Sequence, residues 1–209
     1  GVDYHSFAAP HGEPEDMKDI PHPRIGYVGN IKTQLDIQLL CALASQHPEW
    51  SLVLVGPKGC LGDDSQFVEQ LARMRNVYFL GHKPVGVVCA YPQHMDVCLL
   101  QYKINDYTKY IYPLKLHEYL ASGKPVVGAP IRSLESFGHV IRFARTVDEW
   151  ATEIAAALSP LATAPHAVEQ RRAVAREYDW DALVARIAQA LCERLGSSTA
   201  RRFAEVLAK

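Results

Sequence analysis

The chain reads as an α/β domain, a doubly wound parallel sheet with a C-terminal helical tail. Short continuous apolar runs recur between residues 24 and 144, several of them ending in glycine. Between them lie segments with apolar residues at helical spacing, and beyond residue 147 only helical periods remain. Continuous apolar strands separated by helices call for a parallel sheet covered on both faces. Parallel strands need crossovers, and right-handed crossovers lay helices on the sheet.

Residues 1–22 are rich in His, Pro, Gly and acids, show no period and read as a linker. The strand "RIGYVG" opens the domain, and "LDIQLLCALASQH" follows it as a helix. The pattern repeats with "SLVLVG" and the helix "QFVEQLARM", then with "VYFLG" and the helix "PVGVVCAYPQH". "DVCLLQ" is the fourth strand, and a polar loop leads from it to the helix "PLKLHEYLAS". "KPVVGA" is the fifth strand, and "HVIRFA", with polar flanks, is the last and an edge strand. "VDEWATEIAAAL", "AVEQRRAVAREY", "WDALVARIAQALCERL" and "TARRFAEVLA" are helices. This divides the chain into a linker (1–22), a sheet domain (23–160) and C-terminal helices (161–209) that pack on the domain or on a domain outside this chain. The opening "GVDYHSF", without methionine, points to a piece of a longer protein.

Composition narrows the function. A net charge of −1 provides no general basic field for nucleic acid or anionic membrane, so any attraction for phosphate is local. No apolar run reaches the eighteen or so residues of a membrane span, and no signal segment opens the chain. The five cysteines form no CxxC pair and sit mostly in apolar runs, which fits buried reduced thiols and a reducing, cytoplasmic compartment rather than disulfides or a metal site.

In an open parallel sheet, ligands bind beyond the carboxyl ends of the strands. Gly29, Gly56 and Gly81 stand at three such ends, either to let backbone approach a ligand or simply to terminate strands. Neither GxGxxG nor the Walker GxxxxGK[ST] is present. The stretch "NDYTKYIYPLKLHEYLASGKPVV" carries the strongest signal. Pro113 fits the first turn of a helix, so Pro113 and Leu114 mark an end with free N–H groups and a positive dipole, suited to an anion. Lys115 in that turn is disfavoured by the dipole unless an anion lies nearby. Glu118, three residues on, shares its face and can accept from the two hydroxyls of a ribose. The alternative is an ordinary surface ion pair. His117 points about 100° away from Glu118 and reads as structural; His139 falls near the site but has no spaced partner. The basic residues and aromatics of "RRAVAREYDW" read as a solvated helix face.

The same stretch, together with "RIGYVGNIKTQLDIQLLCALASQHPEWSLVLVGP", "NVYFLGHKP" and "YDWDALVARIAQAL", resembles the donor-site half of bacterial nucleotide-sugar glycosyltransferases with two facing Rossmann-like domains, the GT-B fold. The resemblance covers roughly residues 22–195 in order and spacing, and "GVD…F" resembles the hinge between the two halves. It implies metal-independent transfer from a UDP- or GDP-linked sugar to a hydroxyl of a glycan or lipid-linked acceptor. The acceptor site would lie in an N-terminal domain that could touch the inner membrane. Glu118 would hold the ribose, and Lys115 and Lys109 would face the diphosphate and act in catalysis. Gly29 and Asn30 would lie near the donor, and His82 and Lys83 under the base. Many members carry a second glutamate where this chain has Tyr110. Asn105 and Asp106 are then either sugar contacts or turn formers. A sugar-nucleotide epimerase of similar architecture and a non-catalytic binding module are the alternatives.

Overall fold

A computed structural model describes residues 1–195; the expected helix "TARRFAEVLA" lies outside the described residues. Six strands form one sheet: β1 (Arg24–Val28), β2 (Ser51–Val55), β3 (Val77–Gly81), β4 (Val97–Leu100), β5 (Val126–Gly128) and β6 (Arg142–Phe143). Every pairing is parallel, and the order is β3-β2-β1-β4-β5-β6. The doubly wound sheet and its six strands stand where the apolar runs place them, with the two-residue β6 at the edge. All residues of β1, β2, β4 and β5 are buried, as a sheet covered on both faces requires.

The strand order reverses between β1 and β4, and the crevice of such a sheet opens at that point. Helix α1 (Tyr4–Ala8) comes before the sheet; α2 (Ile37–Gln46) and α3 (Ser65–Ala72) connect its first three strands. The segment "PVGVVCAYPQH", expected as one helix, forms two single turns, α4 (Val85–Val88) and α5 (Ala90–Gln93). Neither turn begins with a side-chain cap. Helix α6 (Lys115–Ala121) links β4 to β5, and α7 (Val147–Ala157), α8 (Pro165–Glu177) and α9 (Trp180–Leu195) complete the described chain. Helix α2 packs on α3 and α7, whereas α6 packs on α1, α5 and α8, so the sheet is covered from two sides. Helix α7 begins with a capping box, Thr146 accepting from the Glu149 amide while Glu149 accepts from the Thr146 amide.

Residues 1–22 are not a free linker. Val2, Met17 and Ile20 are buried in the core, and the Val2 and Tyr178 backbones are hydrogen-bonded. Arg24, 2% exposed, gathers the segment by pairing with Glu13 and donating to the carbonyls of Met17 and Ile20. The segment has no hydrophobic period because it is held by scattered single anchors and one arginine. Cys41, Cys89 and Cys98 are buried free thiols, as the apolar runs around them suggest; Cys60 is exposed.

Candidate functional site

The site is assembled around the end of β1. Tyr119 on α6 reaches across, its hydroxyl accepting the Val28 N–H at 2.8 Å. This bond fixes α6 over the last residue of the strand. Lys115 lies four residues before Tyr119, hence on the same helix face, and its aliphatic stem lies against the next residue, Gly29. A Cβ built on Gly29 would stand 1.9 Å from the Lys115 Cε, so glycine is what admits the lysine. Gly56, at the end of β2, has φ +139, and a Cβ there would stand 2.2 Å from the Gly29 carbonyl oxygen. Two of the three strand-end glycines thus serve a close approach.

The Lys115 ammonium sits 5.8 Å from the Tyr27 ring centre. Among the described residues it pairs with no carboxylate, and Glu118 makes neither an ion pair nor a side-chain hydrogen bond. The two are therefore not the surface ion pair that their spacing allows. Burial pushes the Glu118 carboxyl above its usual range, and the Lys115 charge opposes that shift. Beneath them, burial raises the hydroxyl pKa of Tyr27, and that of Tyr102 to about 12; the Glu118 charge adds to both. The Tyr27 hydroxyl donates to the Asn30 carbonyl and so shapes the loop after β1. Sequence reasoning missed Tyr27, Tyr102 and Tyr119. An apolar strand and a helix interior make tyrosine look like core filling, and only the fold shows where the hydroxyls land.

A cavity of about 300 Å³ opens beside this corner, and Gly29, Asn30, Gly56, His82, Lys83 and Val88 are among its lining residues. The sites expected after β1 and after β3 thus meet. The Lys83 ammonium is held by Asp16 at 2.5 Å and lies over the Tyr91 ring. The remaining candidates stand elsewhere. Lys109 pairs with Asp106 at 2.7 Å. The Asn105 side chain accepts from the amides of Tyr107 and Thr108, which makes it a turn former. Tyr110 is 72% exposed.

Helix α6 starts later than the sequence suggests. Leu114 is its N-cap, and Pro113 precedes it, because the Pro113 carbonyl accepts the Leu116 N–H in a tight first turn. His117 is structural, as its angle from Glu118 indicates. It is fully buried, stacked 4.1 Å from Tyr178 and hydrogen-bonded to the Tyr112 hydroxyl, and burial lowers its pKa to about 4. His139 does not approach this corner; it lines a different cavity at the start of β5 and β6. Among the described residues, no three His, Cys, Asp or Glu side chains cluster as metal ligands would.

Residues 22–164 match the family described as "Glycosyl transferases group 1". The chain belongs to this glycosyltransferase family. A putative teichuronic acid biosynthesis glycosyltransferase, TuaH of Bacillus subtilis (strain 168), is 31% identical over 194 residues, which make up 90% of this chain and 48% of that protein. The chain thus spans about half the length of the curated relative it matches. The fold of this group 1 chain is shared with the sucrose-phosphate synthase of Thermosynechococcus elongatus, with a TM-score of 0.74 at 17% identity over 93% of this chain and 51% of that one. Anabaena HepE, solved in complex with UDP-glucose, gives a TM-score of 0.65 at 17% identity, covering all of this chain and 56% of that one. The C-terminal domain of a Francisella tularensis group 1 protein, LpcC, gives 0.58 at 14% identity over 88% of this chain and 97% of that domain.

Proposed function

We propose that this chain is the donor-binding half of a glycosyltransferase that moves a sugar from a nucleoside diphosphate to a hydroxyl acceptor. The observation that carries the reading is Glu118, a half-buried carboxylate without a partner among the described residues, beside Lys115, whose own stem is seated on Gly29. A carboxylate left without donors in a crevice is suited to accept from a pair of vicinal hydroxyls, and a lysine next to it is suited to a diphosphate. As the bond to the sugar breaks, negative charge builds on the diphosphate, and a positioned ammonium stabilises it there. The cavity between Gly29, Gly56 and His82 has room for the base. Lys109 would reach the diphosphate only by leaving Asp106.

The acceptor site belongs to a second half outside this chain. Two features support that placement: the matched relative is about twice as long, and α9 leaves Trp180, Val184, Ile187 and Leu191 exposed at a spacing of four, three and four residues. The donor is a UDP- or GDP-linked sugar held without a divalent ion, and the work is done in the cytoplasm, at the inner membrane if the second half touches it. No helix among the described residues is long and apolar enough to cross a membrane.

Calorimetric titration of the chain with UDP and GDP tests the reading. One of the two is expected to bind, and to bind equally with a chelator present. Loss of binding on chelation would remove the metal-free diphosphate site. In the full-length protein, nucleotide release that depends on an added acceptor identifies a transferase. Interconversion of the sugar nucleotide without acceptor would make it an epimerase instead.

A further inference from the structure

Among the described residues two arginines are buried, and they are satisfied very differently. Arg24 is 2% exposed and has a carboxylate, Glu13, besides the carbonyls of Met17, Ile20 and His94. Arg171 on α8 is 6% exposed. Its Nε donates to the Gly123 carbonyl at 3.0 Å and its Nη2 to the Ala162 carbonyl at 2.6 Å. Among the described residues, its Nη1 has no hydrogen-bond partner and no carboxylate lies within ion-pair distance. Largely burying a charge without a counter-charge is costly, and the Nη1, which solvent still reaches, is open to an anion.

Arg171 lines a cavity of about 350 Å³ at the start of β5 and β6, at the opposite end of the parallel strands from the Glu118 corner, which lies beyond the end of β1. Its wall includes Val126, His139, Arg142 and Gln170, and no acid is among its lining residues. Arg142 is shared with Glu153, at 2.9 Å, outside the cavity. Lys124, next to the wall residue Pro125, is a second cation nearby, its charge partly offset by Asp96. Burial lowers its pKa, and the Arg171 charge works in the same direction. A bare ion would underfill this space, which lies at the lower end of the roughly 300–1,000 Å³ range of small-molecule pockets.

We propose that this cavity binds a phosphate monoester, its phosphate on Arg171 and its organic part against Val126 and Ala162. A guanidinium with its Nη1 left open is a charged donor of the kind that phosphate oxygens accept from. Gln170 and His139, both exposed at the rim, supply further donors. Because the cavity and the Glu118 corner are at opposite ends of the strands, both can be filled at once.

Titration of the chain with glycerol 3-phosphate, with glycerol as the neutral control and inorganic phosphate as the bare anion, provides the test. Glycerol 3-phosphate is expected to bind and to raise the melting temperature, glycerol to do neither, and saturating UDP to leave the titration unchanged. Since Arg171 also holds two carbonyls, its removal could unfold the chain, so the deciding variants are Gln170→Glu and His139→Glu. These change only rim side chains and are expected to weaken the ester at least tenfold with an unaltered melt of the free protein. The proposal is overturned if neither phosphate compound binds or if inorganic phosphate alone binds. Displacement by UDP, or full affinity in both rim variants, would overturn it equally.

Discussion

Glu118 and Lys115 are better understood by what they lack than by their spacing. An i,i+3 pair on a helix usually closes on itself for a few tenths of a kcal/mol. Here the lysine is drawn off to Gly29 and Tyr27, and the carboxylate is left half buried and unpaired. Burial raises the folded-state pKa of Glu118 above its unfolded value. Folding therefore takes up a proton at this residue, and the ionised form is a cost above the folded pKa that vanishes below the unfolded one. Glu118→Gln is accordingly expected to leave the melting temperature unchanged or raise it near pH 7, with the gain gone near about pH 4. The same change should weaken nucleoside diphosphate binding about tenfold or more, since a hydrogen bond to a charged group contributes roughly 1.5–3 kcal/mol. A variant that melts lower and binds as well as the parent would return Glu118 to a structural role. Lys115→Ala should act on the diphosphate and spare the free nucleoside. Gly29→Ala should also displace the lysine stem, but because Gly29 has φ +147 and lines the cavity proposed for the base, it should in addition lower the melting temperature and weaken the nucleoside.

At the scale of elements, the site depends on how α6 is held. The helix is seven residues long, too short to stand by itself, and its position rests on Tyr119 at the end of β1 and on its packing against α8. Arg172 and Arg171 of α8 bond the carbonyls of Ala121 and Gly123 at its far end. Tyr119→Phe removes the acceptor of the buried Val28 N–H and should cost roughly 1–3 kcal/mol in a denaturant melt. It should also lower diphosphate affinity, because Lys115 is carried on the released helix; unchanged affinity would mean that Lys115 needs no such bolt. Among the described residues the strands, down to the glycine after β1, and the helices other than the split α4 and α5 were legible in the sequence. The opening segment was not, since Met17, Phe7 and Val2 follow no period and are held one by one, Met17 by Arg24, Phe7 by Gln93 and Val2 by Tyr178, across distances that local pattern cannot register. The candidate site's geometry was half legible. Lys115, Glu118 and Gly29 could be named from helix and strand-end chemistry, but Lys109 and Asn105 could not be separated from turn residues until Asp106 and the amides of Tyr107 and Thr108 were seen to hold them.

At the scale of the whole molecule, α9 carries an apolar face that the described residues leave exposed. Trp180 is 51% exposed, Val184 47%, Ile187 61% and Leu191 40%, and their spacing puts them on one face of α9. An apolar stripe of that kind on a helix is normally covered, and in the proposed two-domain enzyme the second half covers it. This makes a prediction in which the same substitution has two different outcomes. In the chain studied alone, Ile187→Glu exchanges one exposed side chain for another and should change stability by less than about 0.5 kcal/mol. In the full-length protein it would bury a charge without a partner, and the cost should rise to several kcal/mol, enough to separate the halves or lower the melting temperature by several degrees. Paired melts of parent and variant, in the chain and in the full-length protein, decide it. Equal shifts in the two backgrounds would show that nothing outside this chain rests on α9.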